Sequence, residues 1–243
     1  MADPSKKTSF AIHQPNYIPW LGYFYKIANC DIFVYLDSVQ YPRGQSFSPR
    51  NRVKTPNGAV FLSIPVSGRG TKEYREITFA EEKWRKKHLK TIELSYRRAP
   101  FFEEIFELYR GPLLAGSDLV DLNTSLIGTI LAYLDIPTKM VKLSELLPDL
   151  RRKSELILDI ADALGAGIYL SGTGGGKLYN DEPLFAEHHL QLKYSDFQHP
   201  VYPQLWGDFE PNLSILDALF NCGPEVRSFL NIKNHPSLKA IQD

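Results

Sequence analysis

The stretch TSFAIHQPNYIPWLGYFYKIANCDIFVYLD, residues 8–37, sets the architecture of this chain. It opens with a short apolar run, Thr8–His13, that is typical of a buried strand. Apolar residues at helical spacing follow over Leu21–Asn29, and Asp31–Asp37 reads as a second strand that is covered on both faces. Strand, helix and strand within about 30 residues make a βαβ unit with a right-handed crossover. We therefore predict an open, mainly parallel α/β sheet with a Rossmann-like start.

The rest of the chain interrupts this alternation once and then resumes it. A hairpin is predicted around the turn Pro56-Asn-Gly58, where it either extends the sheet or lies over its edge. No linker or internal repeat is present, so we predict one domain over residues 1–243 with a helical insertion at about 80–136. The insertion is predicted to hold helices Glu81–Arg98 and Ser117–Asp135, the second with Ser117 as its cap and an inward stripe from Leu119 to Leu134. The resumed alternation is predicted to hold Lys139–Leu143, Lys153–Leu164 with Gly165 as its cap, Gly167–Ser171, Leu190–Phe197 and a short helix at Leu213–Phe220.

Composition limits the class of protein. Lys and Arg number 28 and Asp and Glu number 28, so overall charge gives no argument for nucleic acid as a general partner. Two cysteines, Cys30 and Cys222, and the absence of metal-ligand spacing predict neither a disulfide nor a metal site. No apolar run is long enough to span a membrane, and residues 1–9 have no signal-peptide core, so we expect a cytoplasmic protein.

A polar and aromatic cluster follows the first predicted strand, in a loop that prolines stiffen. A histidine at a strand end can act as a general base, and neighbouring amides can bind ligand hydroxyl or amide groups. The alternative is that the histidine caps its strand while the aromatic residues fill the core. We predict a functional cluster, with His13 as a catalytic residue and with Gln14, Asn16, Tyr17 and Trp20 as substrate-binding residues.

Two further polar residues, Asp37 and Gln40, follow the second predicted strand. Adjacent parallel strands end at the same edge of a sheet, so both side chains can face the crevice beside His13. Asp37 can bind a sugar hydroxyl, an ammonium group or a divalent metal, and it is our second candidate catalytic residue. Gln40 is a candidate substrate-binding residue. The alternative is that Asp37 caps the next turn.

A compact basic segment follows. Alternation along a strand places Arg50, Arg52 and Lys54 on one face, which suits phosphate or carboxylate groups. A solvated edge strand defended by charge is the alternative. Asn51, Arg52 and Lys54 are candidate substrate-binding residues, as is His199 in a later loop.

The segment Ser171-Gly-Thr-Gly-Gly-Gly-Lys177 leads from a predicted strand into a glycine-rich loop. Glycines let main-chain N–H groups converge on an anion, and a lysine adds positive charge. The spacing is not that of a P-loop, and a plain tight turn is the alternative. The candidate phosphate-binding residues are Ser171, Gly172, Gly174, Gly175, Lys177 and Tyr179.

The run Ile12–Phe24 resembles the opening of the WbqC-like family of bacterial proteins, and matches continue over nearly the whole chain at Tyr169–Gly172, His199–Pro203 and Pro211–Asp217. Members of this family are encoded in surface-polysaccharide gene clusters, and a glycine transferase role has been suggested for it. The resemblance implies transfer of glycine to an amino sugar, nucleotide-linked, in O-antigen, lipopolysaccharide or other surface-polysaccharide biosynthesis. In that reaction His13 takes the proton of the attacking ammonium group. The sugar or glycine would be held by Gln14, Asn16 and Asp37, and phosphate by Arg52 with the Gly172–Gly175 loop.

A fainter resemblance to the His-x-Gly-His nucleotidyltransferases keeps other chemistry open, although Trp20-Leu-Gly-Tyr23 replaces both signature histidines. An ATP-using ligase or nucleotidyltransferase would need ATP with magnesium, the one cofactor we consider. Glycyl-tRNA is an alternative acyl donor, and the basic helix face at Lys83–Lys90 would then contact it. A noncatalytic nucleotide- or glycan-binding protein is the remaining alternative.

Overall fold

A computed structural model of the chain describes residues 7–174 and 180–232. The βαβ start is confirmed: strand β1 spans Ser9–His13, helix α1 spans Leu21–Ala28 and strand β2 spans Ile32–Tyr35. The two strands are parallel, with Phe10 opposite Ile32 and His13 opposite Tyr35. Since β1 ends at His13, the polar cluster begins at the carboxyl edge of the sheet.

The predicted hairpin forms a sheet of its own. Strands β3 (Arg50–Thr55) and β4 (Gly58–Ser63) are antiparallel and join through the predicted turn, in which Gly58 has a φ of 94°. A second small pair consists of β5 (Val66–Ser67) and β6 (Thr78–Phe79), with a 3-10 turn at Tyr74–Glu76 before β6. Neither pair is hydrogen-bonded into the five-stranded sheet, so the hairpin does not extend it.

The helical insertion contains three helices: α2 (Lys83–Tyr96), α3 (Phe102–Ala115) and α4 (Leu119–Tyr133). The predicted inward stripe of α4 is buried, from Leu119 to Leu134. The prediction that Ser117 caps α4 was wrong. The N-cap is Asp118, whose carboxylate accepts hydrogen bonds from the main-chain N–H groups of Val120 and Asp121, at 2.9 Å each. The helix α3 was not predicted.

The second half of the chain restores the alternation. It contains β7 (Lys139–Lys142), α5 (Leu143–Leu146), α6 (Lys153–Leu164), β8 (Ile168–Ser171), α7 (Glu182–Glu187), β9 (Gln191–Tyr194), α8 (Ile215–Cys222) and a 3-10 segment at Gly223–Leu230. Helix α6 ends at Gly165, which has a left-handed backbone conformation with a φ of 59°, so the predicted cap is confirmed. Both Cys30 and Cys222 are free and buried.

The parallel sheet has the strand order β7-β2-β1-β8-β9. Numbered along the chain as strands of this sheet, the order is 3-2-1-4-5, and its direction reverses between β1 and β8. One face packs Ala11 and Phe33 into a core shared with α1 and the insertion, while the other packs Phe10 and Val34 against α6 and α7. Open α/β sheets bind ligands outside the carboxyl ends of the strands that flank such a reversal. Among the described residues, no helix combines the length and the apolar character needed to cross a lipid bilayer.

Candidate functional site

A cavity of about 840 Å³ opens outside the carboxyl ends of β1 and β8, at the reversal of strand order. Its size suits a drug-sized or nucleotide-sized ligand. Four parts of the chain build it: the end of β1 with α1, the loop between β2 and β3, the first turn of α6, and the end of β8 with the loops after β8 and β9. Among the predicted site residues, those that line it are His13, Gln14, Trp20, Ser171, Gly172 and Gly174.

His13 is the last residue of β1, and its side chain is a neutral imidazole. Its Nδ1 donates a hydrogen bond to the main-chain carbonyl of Gln14 at 3.0 Å, which leaves Nε2 as an acceptor. Burial, and then the positive charge of Lys26, lower the pKa of His13 to about 3. Such a group is a weak base, so His13 is better suited to accept a hydrogen bond from a ligand than to hold a proton.

Lys26 lines the same cavity, although its position within an apolar helix did not mark it as a site residue. The residue is only 6% exposed, and its Nζ donates to the main-chain carbonyl of Ile12 at 2.8 Å. Burial lowers the pKa of Lys26 to about 8, which brings the amine within reach of proton transfer near neutral pH. The sequence signal was a lysine on the buried stripe of α1.

Aromatic side chains form one wall of the cavity. Trp20 lies with its ring centroid 5.5 Å from that of Phe47 and 6.0 Å from that of Tyr23, and Phe197 closes the wall from the loop after β9. Gly22 lets this wall approach α1, since a Cβ atom there would lie 3.0 Å from Cδ1 of Phe197. Flat aromatic surfaces of this kind stack on sugar or nucleobase rings.

The opposite side of the cavity belongs to β8 and α6. Ser171 is buried, and its hydroxyl accepts a hydrogen bond from the Asn180 amide at 3.0 Å. Gly172 and Gly174 continue the lining, and Lys153 at the start of α6 adds a second ammonium group. The other predicted phosphate-binding residues, Gly175, Lys177 and Tyr179, lie outside the described residues.

The charge of the cavity is one-sided. Its described lining contains the cations Lys26 and Lys153 together with the neutral His13, and it contains no Asp or Glu. A cavity with these groups favours an anionic ligand. Across the described residues, no group of three or more His, Cys, Asp or Glu side chains is arranged to hold a metal ion.

Three residues predicted for the site lie outside the cavity and hold the loops around it. The Asn16 side chain accepts a hydrogen bond from Ser48 at 3.0 Å. The buried hydroxyl of Tyr17 lies 2.7 Å from that of Tyr109 in α3 and 2.9 Å from Nδ1 of His88, and the three side chains form one buried polar group. Asn51 donates through its amide to the carbonyl of Ile18, at 2.8 Å, where the backbone takes a left-handed φ of 38°.

The two residues predicted after β2 also lie outside the cavity. Asp37 is buried, and its carboxylate accepts the main-chain N–H and the hydroxyl of Ser144, at 3.0 and 2.5 Å. It therefore caps the first turn of α5, which is distant in the chain. The alternative left open by the sequence was a cap of the turn that directly follows Asp37. Gln40 is exposed and donates to the carbonyl of Gly70 at 3.0 Å, so it holds a neighbouring loop.

The basic strand and His199 support a long loop near residues 199–212. Arg52 pairs with Glu210 at 3.2 Å, and the buried Lys54 donates to the side chain of Gln204 at 3.0 Å. His199 donates from Nδ1 to the carbonyl of Pro200, and its Nε2 accepts the Asn212 N–H. None of these three residues lines the cavity.

The chain is therefore an α/β protein with a cavity lined by lysine and aromatic side chains at the reversal point of a parallel sheet. The chain belongs to the WbqC-like protein family, whose model matches residues 14–229. It is 36% identical over 227 residues to the uncharacterized protein Rv1507c of Mycobacterium tuberculosis, a match that covers 90% of this chain and 96% of that relative. No solved structure matches the chain.

Proposed function

We propose that the protein is a cytoplasmic transferase that adds an aminoacyl group, glycine in the first place, to a nucleotide-linked amino sugar used in surface-polysaccharide biosynthesis. The observation that carries the proposal is the cavity of about 840 Å³ with two lysines, an aromatic wall and no carboxylate among its described lining residues. A diphosphate suits the lysines, and a sugar or nucleobase ring suits the aromatic wall. Family membership and the role suggested for that family supply the reaction class.

The acceptor amine must lose a proton to attack an acyl carbon. We assign Lys26 as the base that accepts this proton. Because its pKa is about 8, a fraction of the Lys26 side chains is neutral near pH 7 and can take up a proton. His13, with a pKa of about 3, is assigned instead to a hydrogen bond from an acceptor hydroxyl or amine to its Nε2. This assignment moves the base from His13, the residue that the sequence favoured, to its neighbour in the cavity.

The bond changes balance with an activated glycyl ester as the donor, either glycyl-tRNA or glycyl-adenylate. The amine nitrogen of the sugar attacks the glycyl carbonyl carbon, and a C–N amide bond replaces the C–O bond to the leaving group. The proton passes to Lys26 and then to the departing oxygen. Main-chain N–H groups of Gly172, Thr173 and Gly174, which line the cavity, are candidates to stabilise the oxyanion of the tetrahedral intermediate.

Two alternatives make different use of the same cavity. A noncatalytic nucleotide- or glycan-binding protein is favoured by the engagement of Asp37 with Ser144, which leaves one fewer free carboxylate near the sheet edge. An ATP-using ligase would need magnesium, for which the described cavity lining offers no carboxylate ligand. Gly175, Lys177 and Tyr179 remain candidate phosphate-binding residues under each of these readings.

The test is a mass-spectrometric transfer assay. The purified protein is incubated with a UDP-linked amino sugar and with glycyl-tRNA, or with glycine, ATP and magnesium. We expect the mass of one glycyl residue on the sugar with wild type and with Lys139→Met, a matched control at an exposed lysine away from both the cavity and the basic helix face. Lys26→Met is expected to fold and to lose at least about tenfold in rate.

The outcomes separate the three readings. Binding of the nucleotide sugar without product from either donor would support the noncatalytic alternative. Product that requires ATP, with release of pyrophosphate, would support activation by adenylation. Full activity in Lys26→Met would contradict the role that we assign to this residue.

A further inference from the structure

A second cavity, of about 320 Å³, lies between the loop before β3 and the loop after β5. Three arginines line it, Arg43, Arg50 and Arg69, and no Asp or Glu is among its described lining residues. We call it the arginine pocket. The polar side chains beside the arginines are those of Gln45, Ser46 and Ser63.

Packing, rather than carboxylates, holds these guanidinium groups. Cζ of Arg50 lies 4.6 Å from the centroid of the Phe61 ring, and Cζ of Arg69 lies 5.9 Å from that of Tyr41. Arg43 packs directly over the backbone at Gly70, where a Cβ atom would lie 2.0 Å from Cγ of Arg43. Among the described residues, the ion pairs involve other arginines, and none of these three takes part in one.

Arg50 lines the arginine pocket, and one of its N–H donors has no hydrogen-bond partner among the described residues. Its Nη2 group donates to the side chain of Gln45 at 2.5 Å, while its buried Nε finds no partner within the part of the chain that the structure describes. A buried N–H without an acceptor is costly, so native structures usually pair such a group. The missing partner must be an acceptor, and a charged acceptor would also offset three positive charges.

We propose that the arginine pocket binds a phosphate group. Guanidinium groups present parallel N–H donors that match the oxygens of phosphate, which distinguishes this pocket from the lysine-lined cavity. The same loop serves both cavities, since Gly44 and Ser46 line the pocket while Phe47 lines the larger cavity. The phosphate can therefore belong to the ligand of the larger cavity or to a separate phosphorylated molecule. The pocket itself does not depend on the proposed transfer reaction.

Inorganic pyrophosphate is the probe, titrated by calorimetry into wild type, Arg50→Met and Arg69→Met. The lysines of the larger cavity can also bind pyrophosphate, so Lys26→Met is titrated in parallel to identify that second class of site. Arg69 is exposed, so its substitution does not threaten the fold, and Arg98→Met is the matched control at an exposed arginine elsewhere. We expect both pocket variants to weaken pyrophosphate binding about tenfold or more, and the control to leave it unchanged. No binding to wild type, or equal binding to Arg69→Met and wild type, would overturn the proposal.

A second titration identifies the source of the phosphate. If Arg69→Met also weakens a UDP-linked amino sugar, the pocket holds a phosphate of that ligand. If the UDP-linked sugar binds unchanged while pyrophosphate binding falls, the pocket serves a separate phosphorylated ligand. Lys26→Met is expected to keep pyrophosphate binding in the arginine pocket. The titration therefore tests the arginine pocket even if the proposed transferase function is wrong.

Discussion

The ammonium group of Lys26 donates a hydrogen bond to the main-chain carbonyl of Ile12, 2.8 Å away. This contact joins the last turn of α1 to the end of β1, and it holds a cation beside His13 at the carboxyl edge of the sheet. The carbonyl of Ile12 accepts a hydrogen bond from one of the three N–H donors of the ammonium group. The others are available to a ligand, which makes Lys26 the central residue of the proposed site.

The low pKa of His13 predicts a loss of stability in mild acid. The unfolded chain takes up a proton at each histidine near pH 6.5, whereas folded His13 stays neutral down to about pH 3. The unfolded state therefore binds more protons in this window, and the free energy of unfolding falls as the pH is lowered. His88, with a pKa lowered by burial to about 4, acts in the same direction.

Urea unfolding between about pH 5 and pH 6.5 tests this prediction with His13→Gln. We expect the wild type to lose more stability than the variant, by roughly 1 kcal/mol per pH unit. His188→Gln, at an exposed histidine, is the control and should follow the wild type. Parallel curves for wild type and His13→Gln would show that His13 protonates in the folded state as it does in water.

Asp37→Asn separates a capping role from a catalytic one. The substitution weakens two charge-assisted hydrogen bonds from Ser144, so we expect a loss of about 1–3 kcal/mol in the free energy of unfolding. Because Asp37 does not line the cavity, affinity for the nucleotide sugar should stay within about twofold of wild type. Calorimetry and urea unfolding measure the two effects. Weaker binding of the nucleotide sugar with an unchanged free energy of unfolding would show that Asp37 belongs to the binding site.

Two glycine substitutions form a matched pair. Gly128→Ala lies in α4 with open space around it and should stabilise the protein by about 0.5–1 kcal/mol without changing ligand affinity. Gly22→Ala instead places its Cβ atom 3.0 Å from Phe197 and 3.1 Å from Nε1 of Trp20. The aromatic wall must shift, and we expect weaker binding of the nucleotide sugar. Equal affinity in both variants would exclude the aromatic wall from the binding site.

Local patterns predicted the fold class, but not helix α3 or the place of the hairpin. The apolar runs of β1 and β2 and the helical spacing between them predicted the βαβ start, and Gly165 predicted the end of α6. These features depend on residues near one another in the chain. The position of the hairpin as a separate sheet depends on distant contacts, such as the hydrogen bond from the Lys54 N–H to the Tyr96 hydroxyl at 2.9 Å.

The candidate site was predictable only in part, for the same reason. His13 ends β1, Gln14 follows it and Trp20 precedes α1, and all three line the cavity. Tyr17 follows the same strand, but its hydroxyl meets Tyr109 in a helix that the sequence pattern did not predict. Lys26 was missed because a lysine on the buried stripe of a helix is a local signal of burial, and that signal does not show that the side chain lines a cavity.

Calorimetric titration of a UDP-linked amino sugar into wild type, Lys26→Met and Lys139→Met tests the central claim most directly. If the ligand binds in the cavity between β1 and β8, Lys26→Met removes one of the two lysine ammonium groups that line the cavity and can bind its diphosphate. We then expect at least about tenfold weaker binding in Lys26→Met and no change in Lys139→Met. Equal affinity in all three proteins, each shown to be folded, would contradict the assignment of this cavity as the ligand site.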